Sequence, residues 1–267
     1  MLIIKLIITL VSTKPKRYET SIFNGNLIFF ISLSQAQFKQ SRPLTKHTEI
    51  SVSNGIWVEY IRSTKNEIIV ETENKDHLNQ ILTTVDAGKL TVKYKPNTHI
   101  KTRSPNKVKI YSNYILHKVD VNSSGSLQIS SPFDVVNFQA KVSSSGKFIS
   151  DIINATYCKL VMSSSAKINQ VINSDKLDIQ ASSSAQAKIK GKVSTVQVDM
   201  NSSAQIDLSQ VRIDDLICNG SSSSKLLIST ANTLDSDLSS SAKIYYKQKP
   251  KEIIRNHTTS SGKLIKN

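Results

Sequence analysis

The feature that most constrains this chain is a small-residue cluster returning about every 20 residues through its carboxy-terminal half. The copies are Asn122-Ser-Ser-Gly125, Ser143-Ser-Ser-Gly146, Ser163-Ser-Ser-Ala166, Ser182-Ser-Ser-Ala185, Asn201-Ser-Ser-Ala204, Ser221-Ser-Ser-Ser224, Ser239-Ser-Ser-Ala242 and Thr259-Ser-Ser-Gly262. Their third residues stand 18 to 21 positions apart. A polar residue and then an apolar one follow, as in Lys147-Phe148, Lys167-Ile168, Gln205-Ile206 and Lys225-Leu226. A fixed period of this length identifies a repeat architecture, and it has to be recognised before any single element is assigned.

Between clusters the apolar residues alternate with period two, for example Leu177-Asp-Ile179-Gln-Ala181 and Val196-Gln-Val198-Asp-Met200. Such alternation marks half-buried strands. Strands at this period without intervening helices cannot form βαβ units. A meander of hairpins would need turn pairs, and within the repeats only Asn219-Gly220 qualifies. The pattern therefore predicts an all-β fold: a parallel β-helix, or solenoid, of about 20-residue coils spanning 119–267, with eight clusters. Coils stack about 4.8 Å apart, so eight span roughly 34 Å. Continuing the alternation through a cluster puts Val142, Ser144, Gly146 and Phe148 inside, and Ser143, Ser145 and Lys147 outside. Inward hydroxyls are expected to hydrogen-bond from coil to coil. Lys147, Lys167, Lys225, Lys243 and Lys263 form a candidate outward ladder.

The ladder also accounts for the serine excess. Of 41 serines, 31 lie in 123–267, so none stands out as a nucleophile. The five histidines lack metal-ligand spacing with one another or with Cys158 and Cys218, and acids in the repeats are mostly single. The expectation is no catalytic, metal or cofactor site, with both cysteines free and buried.

Residues 37–118 carry strand-like runs at 55–61, 67–73, 89–94 and 108–111, with one helical turn at Asp76–Leu82. Two readings stand for this segment, a β-rich cap on an otherwise open solenoid end or a separate binding module. The net charge is +15, and Lys89 to Lys118 contains eight basic residues and no acid. Lys101, Arg103, Lys107 and Lys109 are the candidate ligand-facing basic segment, suited to anionic polysaccharide; a solvated lysine-rich edge that deters strand pairing is the competing reading. Nucleic acid is disfavoured, because the aromatics form no stacking platform.

At the amino terminus, Lys14, Lys16 and Arg17 precede the apolar run 27–33 and Ser34-Gln35-Ala36. This is the layout of a secretory signal over 1–36, and neither apolar run there is long enough to span a bilayer. Export to the periplasm, the cell surface or the medium is expected, with no membrane span after removal of the signal.

Asn54-Gly55-Ile56-Trp57-Val58-Glu59-Tyr60-Ile61, then Val70-Glu-Thr-Glu73-Asn74, then Gly88-Lys-Leu-Thr-Val92, followed by the Ser-Ser-Gly/Ala coils, resemble the head GIN domain family of autotransporter adhesins over about 45–265. The specificity lies in the order of the motifs together with the ladder. The resemblance implies a right-handed β-helix in the cell envelope of Bacteroidetes, and it carries over no catalytic residues. This chain departs from the pattern where Ala replaces Gly in several clusters, and it has no lipid-attachment Cys after the signal. The function expected is an exported, non-enzymatic β-helix that binds a surface glycan or envelope protein. The alternatives are a carbohydrate-active β-helix enzyme and a structural spacer, with self-association open in each case.

Overall fold

The computed structural model describes residues 38–267, so the export segment expected at 1–36 lies outside the described residues. The described residues form a parallel β-solenoid of about seven turns, with coils about 20 residues apart. Long strands at Lys147–Met162, Lys167–Ala181, Gln186–Met200 and Gln205–Gly220 pair in parallel, each with the next. One four-residue corner separates each from its successor, and that corner is the serine cluster.

The corner geometry explains the cluster. Its two middle residues both take positive φ, +49° at Ser144 and +60° at Ser145, and the pattern repeats at every copy. A hydrogen bond from the Gly146 amide to the Ser143 carbonyl closes the turn at 2.8 Å. Positive φ at both central positions is the type I′ signature. Left-handed backbone costs an L-residue about 1–2 kcal/mol, and short polar side chains tolerate it better than branched ones. Stacking offsets that cost. The Ser145 amide donates to the Ser164 carbonyl, Ser165 to Ser183, Ser184 to Ser202, Ser203 to Ser222, Ser223 to Ser240 and Ser241 to Ser260, each at 2.9 Å.

Two expectations change here. Val142, Gly146 and Phe148 face inward, but Ser144 is exposed beside Ser145, because the turn interrupts the period-two parity. The bonds joining one corner to the next come from backbone amides rather than serine hydroxyls. Asn219-Gly220 lies inside the strand 205–220, not at a turn.

The fourth corner position must be small. A Cβ on Gly146 would come within 2.6 Å of the Val121 carbonyl oxygen of the preceding coil. Corners ending in Gly125, Gly146 or Gly262 close at 2.8 Å, and those ending in Ala or Ser at 2.9–3.2 Å. Widening the turn admits the extra carbon. Inside, one register ladder alternates large and small residues: Met162, Ala181, Met200, Gly220 and Leu238 are successive partners. Neighbouring bulk fills the space each small residue leaves.

The amino-terminal segment is threaded out of sequence order. Strands Glu49–Val52 and Trp57–Arg62 form a coil whose corner is Asn54 (φ +61°) and Gly55 (φ +70°), and the Gly55 amide donates to Ser123 at 2.9 Å. This coil lies between Lys89–Tyr94 with Lys107–Ser112 on one side and Lys118–Val121 with Ser126–Ile129 on the other. Beyond 89–112 the parallel stacking stops. Ile81–Asp86 pairs antiparallel with 89–94, Glu67–Thr72 antiparallel with 107–112, and Phe38–Pro43 antiparallel with 67–72. The helical turn is Lys75–Gln80, capped by the Asn74 side chain; Ile81 and Leu82, expected to end it, instead begin a strand.

His47 is fully buried where the chain enters this first coil. Its Nδ1 donates to the Thr45 carbonyl at 2.9 Å, and its Nε2 lies 3.0 Å from the Tyr60 hydroxyl, which also reaches the Tyr114 carbonyl at 3.0 Å. Burial holds the His47 pKa below its ordinary value of 6.5, an effect the Thr45 bond only partly offsets. The unfolded chain binds the extra proton first, so this contribution to stability is complete above about pH 6.5 and is lost progressively as pH falls below it. Thermal unfolding is therefore expected at lower temperature at pH 5.5 than at pH 7.5, with a smaller drop in His47→Gln; equal drops would remove His47 as the cause. At the corners, Ser165→Val puts a branched side chain at φ +60° and is expected to cost about 1–2 kcal/mol in urea unfolding. Ser165→Gly should stay close to the parent, and coincident midpoints for the two variants would refute the strained-corner account.

Candidate functional site

Each corner leaves the strand that follows it in fixed register, so the first residue after every corner joins one row along the solenoid axis. That row reads Lys107, Trp57, Ser126, Lys147, Lys167, Gln186, Gln205, Lys225, Lys243, Lys263. Lys147, Lys167, Lys225 and Lys263 are exposed and Lys243 is half-exposed. The next residue in each strand is buried, Phe148, Ile168, Leu226 and Ile244 among them. Alternation thus fixes the lysine stems to an outward face, with the apolar core directly beneath.

Beside this row, two residues further along each strand, runs a mixed row that includes Ile149, Asn169, Lys188, Asp207 and Leu227. The two rows line an open groove of about 570 Å³, with Lys147, Lys167, Gln186 and Gln205 along one side. Among the described residues no acid occupies the first row, and none of its five outward-ladder lysines has an ion-pair partner. Adjacent like charges directly opposite one another destabilise a sheet, so this row is electrostatically unsatisfied on its own.

The basic segment separates into parts with different roles. Lys107 joins the row and places its Nζ 5.6 Å from the centre of the Trp57 ring, a cation–π contact. Lys109 sits 3.6 Å from Glu71, a carboxylate only 7% exposed that Lys39 also holds at 3.0 Å. Burial would push the Glu71 pKa up; Lys39 and Lys109 outweigh it and hold the carboxyl below its ordinary range. Lys109 is thereby engaged by the strand that carries Glu71. Lys101 and Arg103 lie exposed on the connection between 94 and 107 and are not brought into the row. Glu73 tethers that connection, accepting from the Arg103 amide and the Ser104 hydroxyl.

Trp57 was not singled out from the sequence. Its signal was available: Asn54-Gly55 occupies the same corner as the Ser-Ser pairs, so Trp57 falls at the lysine position. Gln186 and Lys188 were legible in the same way once the corner was placed.

A second open groove, of about 690 Å³, carries Asp134, Asn154 and Asn173. These three side chains are joined to one another in a chain of hydrogen bonds. Asn154 donates to Asp134 at 2.7 Å, Asn173 to Asn154 at 3.0 Å, and the Lys192 amide to Asn173 at 3.1 Å. Cys158 and Cys218 are free and buried; burial pushes the Cys158 thiol up to about 12 and raises that of Cys218 as well, so neither offers a thiolate. Among the described residues no three His, Cys, Asp or Glu converge as a metal set, and no helix is long and apolar enough to cross a membrane.

Comparison with known proteins agrees with this architecture. The family model described as "Putative auto-transporter adhesin, head GIN domain" matches residues 46–250. Among solved structures, a "putative lipid binding protein" from Parabacteroides distasonis is similar at 21% identity and TM-score 0.76, covering 88% of this chain and 98% of its own. A "putative adhesin" from Parabacteroides merdae is similar at 15% identity and TM-score 0.76, covering 88% of this chain and 97% of its own. A second "putative adhesin" from Parabacteroides distasonis is similar at 16% identity and TM-score 0.73, covering 88% and 98%. At these identities the likeness is one of fold. No curated protein matches.

Proposed function

The chain belongs to the auto-transporter adhesin head GIN domain family, and from that premise we propose that it is a non-enzymatic binding protein of the cell envelope that holds an anionic surface glycan against its lysine row. The observation that carries this reading is the row itself: lysines repeated in register and unpaired among the described residues, with Lys147 and Lys167 at one end of it lining an open groove. Family and fold support binding or adhesion at the envelope or surface, and the anionic glycan is the finer step. Coulomb attraction from several aligned ammonium groups captures a polyanion without any single deep pocket.

A lipid-binding role, which one structural relative's description suggests for that protein, finds little support inside the coils. The interior is filled by side-chain ladders, and the partly enclosed pocket lined by Tyr60, Tyr114 and Phe133 has a volume of about 20 Å³, near that of one water molecule.

The test uses the purified full chain over immobilised polygalacturonate, with neutral dextran as control. Binding is expected to the acidic polymer alone and to weaken at least tenfold between about 50 and 500 mM salt, as screening shortens the reach of the charges. A Lys147→Glu, Lys167→Glu, Lys225→Glu variant should lose it. Lys141→Glu with Lys192→Glu, exposed and outside both the row and its groove, should not. Undiminished binding by the triple variant would overturn the assignment.

A further inference from the structure

We propose that the ligand of the lysine row is a linear glycan carrying one acidic group per sugar, lying parallel to the solenoid axis and read at one sugar per coil. This deepens the function proposed above and rests on it.

The row has the dimensions of a thread. It is one side chain wide, bounded on one flank by the serine corners and on the other by the mixed row of Ile149, Lys188, Asp207 and Leu227. Its members are direct register partners, so successive positions are one coil spacing apart, about 4.8 Å. An extended 1,4-linked pyranose chain advances by about one such spacing per sugar. The rise per sugar then matches the rise per coil. Because successive 1,4-linked sugars turn about the chain axis, the carboxylates do not all face the row directly. The flexible four-carbon stems of Lys147, Lys167, Lys225, Lys243 and Lys263 reach round the thread to those that do not. Between the two lysine groups stand Gln186 and Gln205, whose amides bond a carboxylate or a hydroxyl equally well. Lys188, two residues beyond Gln186 in the same strand, moves the positive charge sideways there. Ile149, 42% exposed, gives the groove an apolar surface suited to the C–H face of a sugar ring.

The same geometry argues against other polyanions. A peptide that binds by adding a strand needs a free sheet edge. Here the row lies on a face whose backbone groups pair above and below, so it offers no such edge. An anionic lipid surface is a plane, and Glu59 and Asp207 would be pressed against it from the mixed row. A thread avoids them.

The test is titration calorimetry of the full chain with oligogalacturonates of increasing length, at low salt. Affinity is expected to rise with each added sugar and to level off near about seven, the number of coils from Lys147 to Lys263. Lys225→Gln should weaken the longest oligomer roughly 2- to 5-fold, the range of one exposed ion pair, and leave a tetramer bound at the Lys147 end unchanged in a Lys243→Gln, Lys263→Gln background. Methyl-esterified oligomers should not bind. If affinity is independent of length beyond two sugars, or irregularly sulfated glycans bind as tightly as the oligouronates, the one-sugar-per-coil register is wrong while the lysine-row reading stands. Binding that survives the triple Lys→Glu variant defeats both. Tighter binding to phosphatidylglycerol vesicles than to any glycan would overturn the glycan in favour of a lipid surface.

Discussion

The hydrogen bond from one left-handed corner to the next is the interaction on which the rest of the molecule depends. Without it each Ser-Ser pair would be a strained turn with an unpaired amide. With it, the amide of Ser145 is satisfied by Ser164, that of Ser165 by Ser183, and so on at a constant 2.9 Å. A ladder of this kind is cooperative in one dimension, because every corner is held by its neighbours. It also sets the register of both flanking strands. That is why coils of 18 to 21 residues keep their core positions aligned. Variation in coil length is absorbed elsewhere, at register shifts such as those between Ile149 and Ile152 and between Lys188 and Lys190, and at the strand break between Ile228 and Ala231.

From that fixed register both the inside and the outside follow. Inward positions form ladders of register partners, so packing is solved between coils as well as within one. Outward positions form rows whose chemistry is set one repeat at a time. A residue type that recurs after each corner becomes a line on the surface, and here that residue is lysine. The serine corners and the lysine row are therefore products of one periodicity. The first is needed for folding; the second is compatible with the fold but not required by it.

How much of this was legible in the sequence depends on the range of the interaction. The cluster spacing and the flanking alternation are local signals, and they predicted the solenoid and the outward position of Lys147 and its equivalents. The inward placement of Ser144 failed because parity counting assumes a continuous strand, while two residues of positive φ consume a step without crossing the sheet. The order of the first coils was hidden for a different reason. Residues 89–112 pack on one side of 49–62 and residues 118–129 on the other, and no local pattern records which strand lies between which. Lys109 illustrates the same limit. Within its own segment it looks like a free basic residue, yet Glu71, distant in sequence, engages it.

The charge pattern of the coils bears on the role proposed for the lysine row. Several rows elsewhere pair opposite charges in register, as in Lys118 with Glu49 at 3.2 Å and Arg255 with Asp235 at 2.7 Å, although Lys192 and Arg212 are like-charged register partners. Asp237 likewise approaches His257 at 3.2 Å, and Asn219 donates to Asp199 at 2.8 Å. These contacts remove repulsion that stacking would otherwise create. The lysine row does the reverse, setting Lys147 against Lys167, and Lys225 against Lys243 and Lys263. Alternating glutamate there would be at least as compatible with the sheet and would stabilise it by a few tenths of a kcal/mol per pair. Stability alone therefore does not explain the row, whereas a bound polyanion would convert each repulsive step into an attractive one.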